Sequence, residues 1–190
     1  MLGLVVACSS VETAEGRKAF ERELKKAELG DRLAASRVGG MYLGGVGTPR
    51  DAAKAVYWYE IGGPRGGWAM LGLMYERGTD VPKDLERAAD YYQRATETGE
   101  PLAMYSLGAL HAKRQISSAN PVEAYMWLHL AEITGRARGT CAIGYPCKEW
   151  AIQDKPGYRR ELMDRLTAAE RAEAVRRADA WLAARPSIRR

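Results

Sequence analysis

The sequence predicts an all-α fold: a short α-solenoid of stacked antiparallel helix pairs, three repeats long, with capping helices at its ends. Three observations lead there. Three segments of the chain align with one another without a gap. Small residues recur in fixed columns of those segments, and the links between their helices carry the same turn residues in the same order.

The segments are AASRVGGMYLGGVGTPRDAAKAVYWYEIGG from Ala34, GWAMLGLMYERGTDVPKDLERAADYYQRAT from Gly67 and AMYSLGALHAKRQISSANPVEAYMWLHLAE from Ala103, starting 33 and then 36 residues apart. Self-similarity at such a period marks a stacked helical array. Gly39, Gly72 and Gly108 stand in the middle of each first helix. Glycine there costs about 1 kcal/mol against alanine, so its recurrence implies close approach of a neighbouring helix. Ala55, Ala88 and Ala124 play that part on the second helices. Tyr42, Tyr75 and His111 follow three residues after each glycine, on the same face. Trp58, Tyr91 and Trp127 are expected to supply the bulk opposite the small residues.

The first two links read GVGTPRD (45–51) and GTDVPKD (78–84). Glycine ends a helix, proline forbids its continuation, and the aspartate caps the next one. The third link, RQISSAN, has lost the glycine and moved the proline, but Asn120 keeps the cap position before Pro121. Residues 17–30 read as the second helix of a half-repeat capping the array, with Arg22 and Glu23 in the aromatic positions, which predicts a face turned to water.

These motifs resemble the Sel-one-like repeat (SLR) branch of the tetratricopeptide-like solenoids. The first copy carries Ala34, Gly39, Tyr42, Gly45, Gly47, Pro49, Asp51, Lys54, Ala55, Trp58 and Tyr59. The second carries Gly72, Tyr75, Gly78, Pro82, Asp84, Ala88, Tyr92, Ala95 and Gly99. Gly67 for alanine, His111 for tyrosine and the third link depart from the pattern. The resemblance covers residues 17–135. It implies a right-handed superhelix that mediates protein interactions, often in bacterial envelopes or signalling, and no shared reaction. Family members resembling β-lactam-binding or hydrolysing proteins carry a cysteine pair in each repeat. The repeats here have none, which leaves that activity a minor alternative.

After Gly135 the pattern fails. Residues 136–157 read as an insertion containing Cys141 and Cys147, 158–185 as a capping helical hairpin, and 186–190 as a basic tail. Thr167 and Glu170 form a capping box that opens the second hairpin helix. Ala172, Val175, Ala178 or Asp179, and Leu182 are expected to form its apolar stripe, with Trp181 beside them.

The chain carries a formal charge of +5. Residues 136–190 hold 13 Lys or Arg against 7 Asp or Glu, so the basic excess belongs to the C-terminal third. Arg159, Arg160, Arg176, Arg177, Arg189 and Arg190 are the candidates for an anionic partner, although interspersed acids favour a solvated cap face. Nucleic acid is not expected, because aromatic interleaving is absent there.

The start, MLGLVVACSS, fits a bacterial lipobox over residues 1–8, with Val5-Val6-Ala7 before Cys8 as the lipid-bearing residue. A basic n-region is missing, and Met1 is read as an internal methionine of a longer signal. Residues 9–16 are read as a linker, and Ser9 favours the outer membrane. Export would leave Cys141 and Cys147 to form a small disulfide loop on the periplasmic side. The alternative is a cytoplasmic adaptor or regulator with all three thiols reduced. No apolar run is long enough to cross a membrane.

Catalysis is not expected. His111 falls in the tyrosine column and reads as a packed histidine. His129 shares a column with Glu60 and Gln93 and reads as solvent-facing. The three cysteines lack metal-ligand spacing, so neither metal nor cofactor is expected. The GVG at 45–47 follows a helix and lacks a lysine-serine sequel, which excludes a phosphate loop. The expected function is a monomeric scaffold, lipid-anchored and non-catalytic, that binds a protein or peptide on its concave face. Arg37, Met70 and Ser106 represent that face in one column.

Overall fold

The computed structural model describes residues 13–138 and 157–188. Among them there are nine α-helices, one 3-10 turn and no strand. Cys8, Ser9, Cys141, Cys147, Arg189 and Arg190 lie outside the described residues. The chain divides into two compact units, residues 1–63 and 64–190.

The first unit holds α1 (Ala14–Glu28), α2 (Arg32–Gly44) and α3 (Ala52–Gly62). Thr13 caps α1 by accepting the Gly16 N–H at 3.1 Å, so helix already occupies part of the stretch 9–16 read as a linker. Asp31 caps α2, accepting the N–H groups of Leu33 and Ala34. Asp51 caps α3 through the Lys54 N–H at 2.9 Å. Helix α1 lies against α2, and α2 against α3. Phe20, Ala27, Ala34, Ala35 and Val38 form the core, with Leu24, Met41, Tyr42 and Trp58 packed on it.

The second unit holds α4 (Gly67–Arg77), α5 (Leu85–Thr96), α6 (Pro101–Ala112), α7 (Pro121–Arg138), α8 (Tyr158–Arg165) and α9 (Ala168–Ala183). Asp84 and Asn120 cap α5 and α7 as their positions predict. Helix α6 packs against α5 and α7 and also touches α4 and α8, so its side chains are nearly all buried. The predicted capping box is complete: Thr167 Oγ1 accepts the Glu170 N–H, and the Glu170 carboxylate accepts the Thr167 N–H. The buried face of α9 is Ala174, Ala178 and Leu182. Ala172 is exposed, so the stripe is shifted from the expected register because its contact is with α7. The end of the chain also differs from a free tail. Pro186–Ile188 forms a 3-10 turn that buries Ile188.

The repeated glycines are where two helices touch. A Cβ on Gly39 would lie 2.8 Å from the Tyr59 ring, and one on Gly72 would lie 2.6 Å from the Tyr92 ring. On Gly108 it would meet Leu128 at 2.9 Å and the Ala124 carbonyl oxygen at 3.1 Å. The bulk opposite the glycines is therefore Tyr59, Tyr92 and Leu128, one residue after the expected column. At 100° per residue that step turns the side chain from the flank of the second helix to its inner face. Tyr91 instead stacks on Tyr75, with ring centroids 5.6 Å apart, and Trp127 meets the edge of Trp181.

The linker column shows the same economy and one strained exception. Gly45 and Gly78 end their helices in the left-handed region, at φ 67° and 68°. The aligned residue of the third copy is Arg114, at φ 54°. A side chain there costs roughly 1–2 kcal/mol.

Two stability predictions follow from these columns. Gly72→Ala should destabilise the fold by about 1–3 kcal/mol despite alanine's better helix propensity, because Tyr92 is wholly buried and has no room to retreat. Arg114→Gly should raise stability by about 1 kcal/mol, the left-handed strain outweighing the added freedom of the unfolded chain. Urea denaturation monitored by circular dichroism measures both, and a stabilising Gly72→Ala would overturn the packing account.

Candidate functional site

The column expected to line a binding face divides on folding. Arg37 is exposed on α2, Met70 is half-buried on α4, and Ser106 is 8% exposed on α6. Arg37 Nη1 lies 3.2 Å from Glu23 Oε2, and Lys26 Nζ lies 2.8 Å from Glu23 Oε1. Glu23, expected to face water, is 8% exposed. It sits against α2, where the hydrogen bond from Lys26 outweighs the cost of burial and, with Arg37, holds its carboxyl below the usual range. Ser106 is removed from any surface by its place under Tyr92, whose hydroxyl it meets.

Tyr92 organises the first-helix side of the second unit. Its ring fills the space left by Gly72, and its hydroxyl donates to Glu76 Oε2 at 2.6 Å. Burial raises the pKa of this phenol, and the Glu76 charge adds to the effect, so the phenol stays a donor. Glu76 on α4 is thereby tied close to Ser106 on α6. On α4, the half-open Met70, Leu73 and Glu76 share one arc of the helix with the exposed Arg77. On α6, Leu102 and Tyr105 are the half-open positions of the facing turns. Partly open apolar side chains on both helices thus accompany a carboxylate held by Tyr92. Sequence columns alone missed Leu73, Glu76 and Tyr105; for Glu76 the signal is the Tyr92 ring on Gly72, with the ring's hydroxyl donating to the carboxylate.

His111 is packed, as its column suggested, and it has a definite task. In the first two repeats the N–H of the capping aspartate bonds the carbonyl of the column tyrosine: Asp51 to Tyr42 and Asp84 to Tyr75, both at 3.0 Å. In the third, the Asn120 N–H bonds the imidazole Nδ1 of His111 at 3.2 Å. Burial lowers the His111 pKa, with the Glu123 charge acting the other way. His129 corrects the expectation of a solvent-facing residue. It is half-buried and stacks on Tyr125, and its buried Nδ1 has no hydrogen-bond partner among the described residues. Burial and the nearby Arg159 lower its pKa, because α8 and α9 pack over α7.

Three of the six C-terminal arginines expected to meet an anion, Arg159, Arg176 and Arg177, are engaged in ion pairs within the hairpin or with α7. Arg159 pairs with Glu132, Arg176 with Glu173, and Arg177 with both Glu173 and Glu123. Arg185 grips Glu97 through two nitrogens and lies over the Trp181 ring. Among the described residues, no group of His, Cys, Asp and Glu could hold a metal ion.

A family model, the Sel1 repeat, matches the chain at residues 32–62, 69–99 and 101–132. The chain belongs to the Sel1-repeat family. Sel1-repeat proteins are generally non-catalytic protein-interaction scaffolds. The chain is similar to the structure of a protective antigen of uropathogenic Escherichia coli strains, described as an SLR fold. Identity is 30% and the TM-score 0.57, over 63% of this chain and 26% of that one. It is likewise similar to a Sel1 repeat protein from Oxalobacter formigenes, at 30% identity and TM-score 0.56, over 62% of this chain and 91% of that one. A curated relative is the ERAD-associated E3 ubiquitin-protein ligase component HRD3B of Arabidopsis thaliana. It is 34% identical over 90 residues, which are 46% of this chain and only 14% of the relative's length.

The two histidines predict acid sensitivity. Their folded pKa values lie below the ordinary 6.5, so the unfolded chain takes up protons first as pH falls. Their contribution to stability is complete above pH 6.5 and declines below it. Protonation of His111 also costs Asn120 its acceptor. The urea midpoint should fall between about pH 7.5 and 5.5, and His111→Gln should flatten that dependence.

Proposed function

We propose that this chain is a non-catalytic adaptor that holds a protein segment against the first-helix face of its second unit, tethered by lipid on Cys8. The observation that carries the binding reading is the Tyr92-anchored Glu76, on a helix whose Met70 and Leu73 are partly open, as are Leu102 and Tyr105 on α6. Half-exposed apolar side chains beside one oriented carboxylate suit a peptide with apolar residues and a cation. The relationship to Sel1-repeat proteins supports the same reading.

The tether rests on the sequence Val5-Val6-Ala7-Cys8-Ser9, and this reading puts the chain on the periplasmic side of an envelope, with the outer membrane favoured. An oxidised Cys141–Cys147 pair accompanies that location.

Leu73→Glu and Glu76→Lys should each abolish capture of a partner that the wild-type chain retains by affinity purification from its own envelope extract. Circular dichroism should show both variants folded, Leu73→Glu melting like the wild type and Glu76→Lys somewhat lower because the buried Tyr92 hydroxyl loses its acceptor. A partner retained equally by both variants would rule out this face. Labelled palmitate should enter the wild-type chain and not Cys8→Ser, and three free thiols on unreduced protein would contradict the exported state.

A further inference from the structure

The charge excess legible in the sequence lies in the C-terminal third, and folding consumes much of it in ion pairs. A second basic surface emerges on α1 instead. At 100° per residue, Lys18, Arg22, Lys25 and Lys26 all fall within about 60° of the Arg22 direction. They are exposed, on the side of α1 opposite its buried Phe20 and Ala27. Arg37 extends the stripe onto α2. Five cations thus share one surface with two acids, Glu15 near the start of α1 and the buried Glu23. Glu23 is already occupied: Arg22, Lys26 and Arg37 surround it at 3.5, 2.8 and 3.2 Å. Glu21 and Glu28 are turned about 100–120° away, at the margin of the stripe. Leu29 ends the same side and is 81% exposed, with its N–H bonded to the Lys25 carbonyl.

We propose that this face of α1 adheres to an anionic phospholipid surface, with the cations over the headgroups and Leu29 entering the interface. Charge complementarity is the first argument. Lys and Arg near an anionic leaflet each strengthen partitioning by roughly fivefold. The exposed leucine is the second, since an acidic peptide gives it no particular reward whereas an acyl boundary does. Chain length is the third, and this part rests on the lipid-anchor reading. Five residue steps separate Cys8 from Thr13, the cap of α1, and they reach at most about 18 Å. A lipid on Cys8 would therefore hold α1 at the bilayer.

The test uses the full-length chain with Cys8→Ser, so that no lipid contributes. Co-sedimentation is measured with phosphatidylcholine vesicles, alone or mixed with phosphatidylglycerol. Binding is expected only to the mixed vesicles and should weaken as salt rises. Lys18→Glu with Lys25→Glu, two positions that do not hold Glu23, should weaken it at least tenfold, by about the per-charge factor above. Leu29→Ser should weaken it while leaving the salt dependence. Circular dichroism melts verify that both variants fold. Equal binding by the double variant, or no binding to the mixed vesicles at low salt, would overturn the proposal. So would binding to poly-glutamate in place of vesicles, which would make an acidic protein the partner. Failure of the anchor is read separately, as absence of palmitate on wild-type Cys8, and leaves the vesicle result standing.

Discussion

Each repeat depends on a contact between a bulky side chain of the second helix and a glycine of the first. Tyr59 on Gly39 and Tyr92 on Gly72 come closer than any Cβ would allow, and Leu128 does the same at Gly108. The glycine costs about 1 kcal/mol of helix propensity. A fully buried aromatic ring returns more than that, by removing apolar area from water and packing at interior density. Leucine is shorter than tyrosine, so in the third copy the backbone of α7 itself approaches, with the Ala124 carbonyl near Gly108. The packing column is therefore kept while its chemistry changes.

That contact also positions the polar groups. In the second unit the Tyr92 hydroxyl reaches Glu76 on α4 and Ser106 on α6, so a structural ring sets the place of a half-open carboxylate. The third repeat shows how a departure is absorbed. Its link lacks glycine, Arg114 takes the left-handed conformation, and the Asn120 N–H finds the His111 imidazole in place of a backbone carbonyl. A change in loop chemistry and the change from tyrosine to histidine are thus one event.

The electrostatics divide by context. Arg185 on Glu97 and Arg177 on Glu123 fasten α9 to the helices beneath it, beside the Trp127–Trp181 contact. Exposed pairs of this kind are each worth at most about 1 kcal/mol, so the apolar face of Ala174, Ala178 and Leu182 carries the docking. On α1 the carboxylate is buried and the cations remain outside, which leaves a surface more basic than the composition of the segment suggests.

The sequence by itself determined the repeats, their caps and their helix ends, because these depend on residues a few positions apart. Asp51, Asp84, Asn120 and the Thr167–Glu170 box needed only local hydrogen bonding. It also marked the glycine column, though it assigned the opposing bulk to Trp58, Tyr91 and Trp127, one residue off. The rotation of one helix about its axis is set by its neighbour, and periodicity tolerates an error of that size. Exposure was decided only by tertiary structure. Glu23 and His129 were expected in water and are covered by α2 and by the C-terminal hairpin, while Ser106 lies under Tyr92. Of the candidate face, Met70 was legible from its column. Leu73, Glu76 and Tyr105 became visible only when α4 and α6 were placed side by side, since burial depends on what packs against a residue and not on the residue alone.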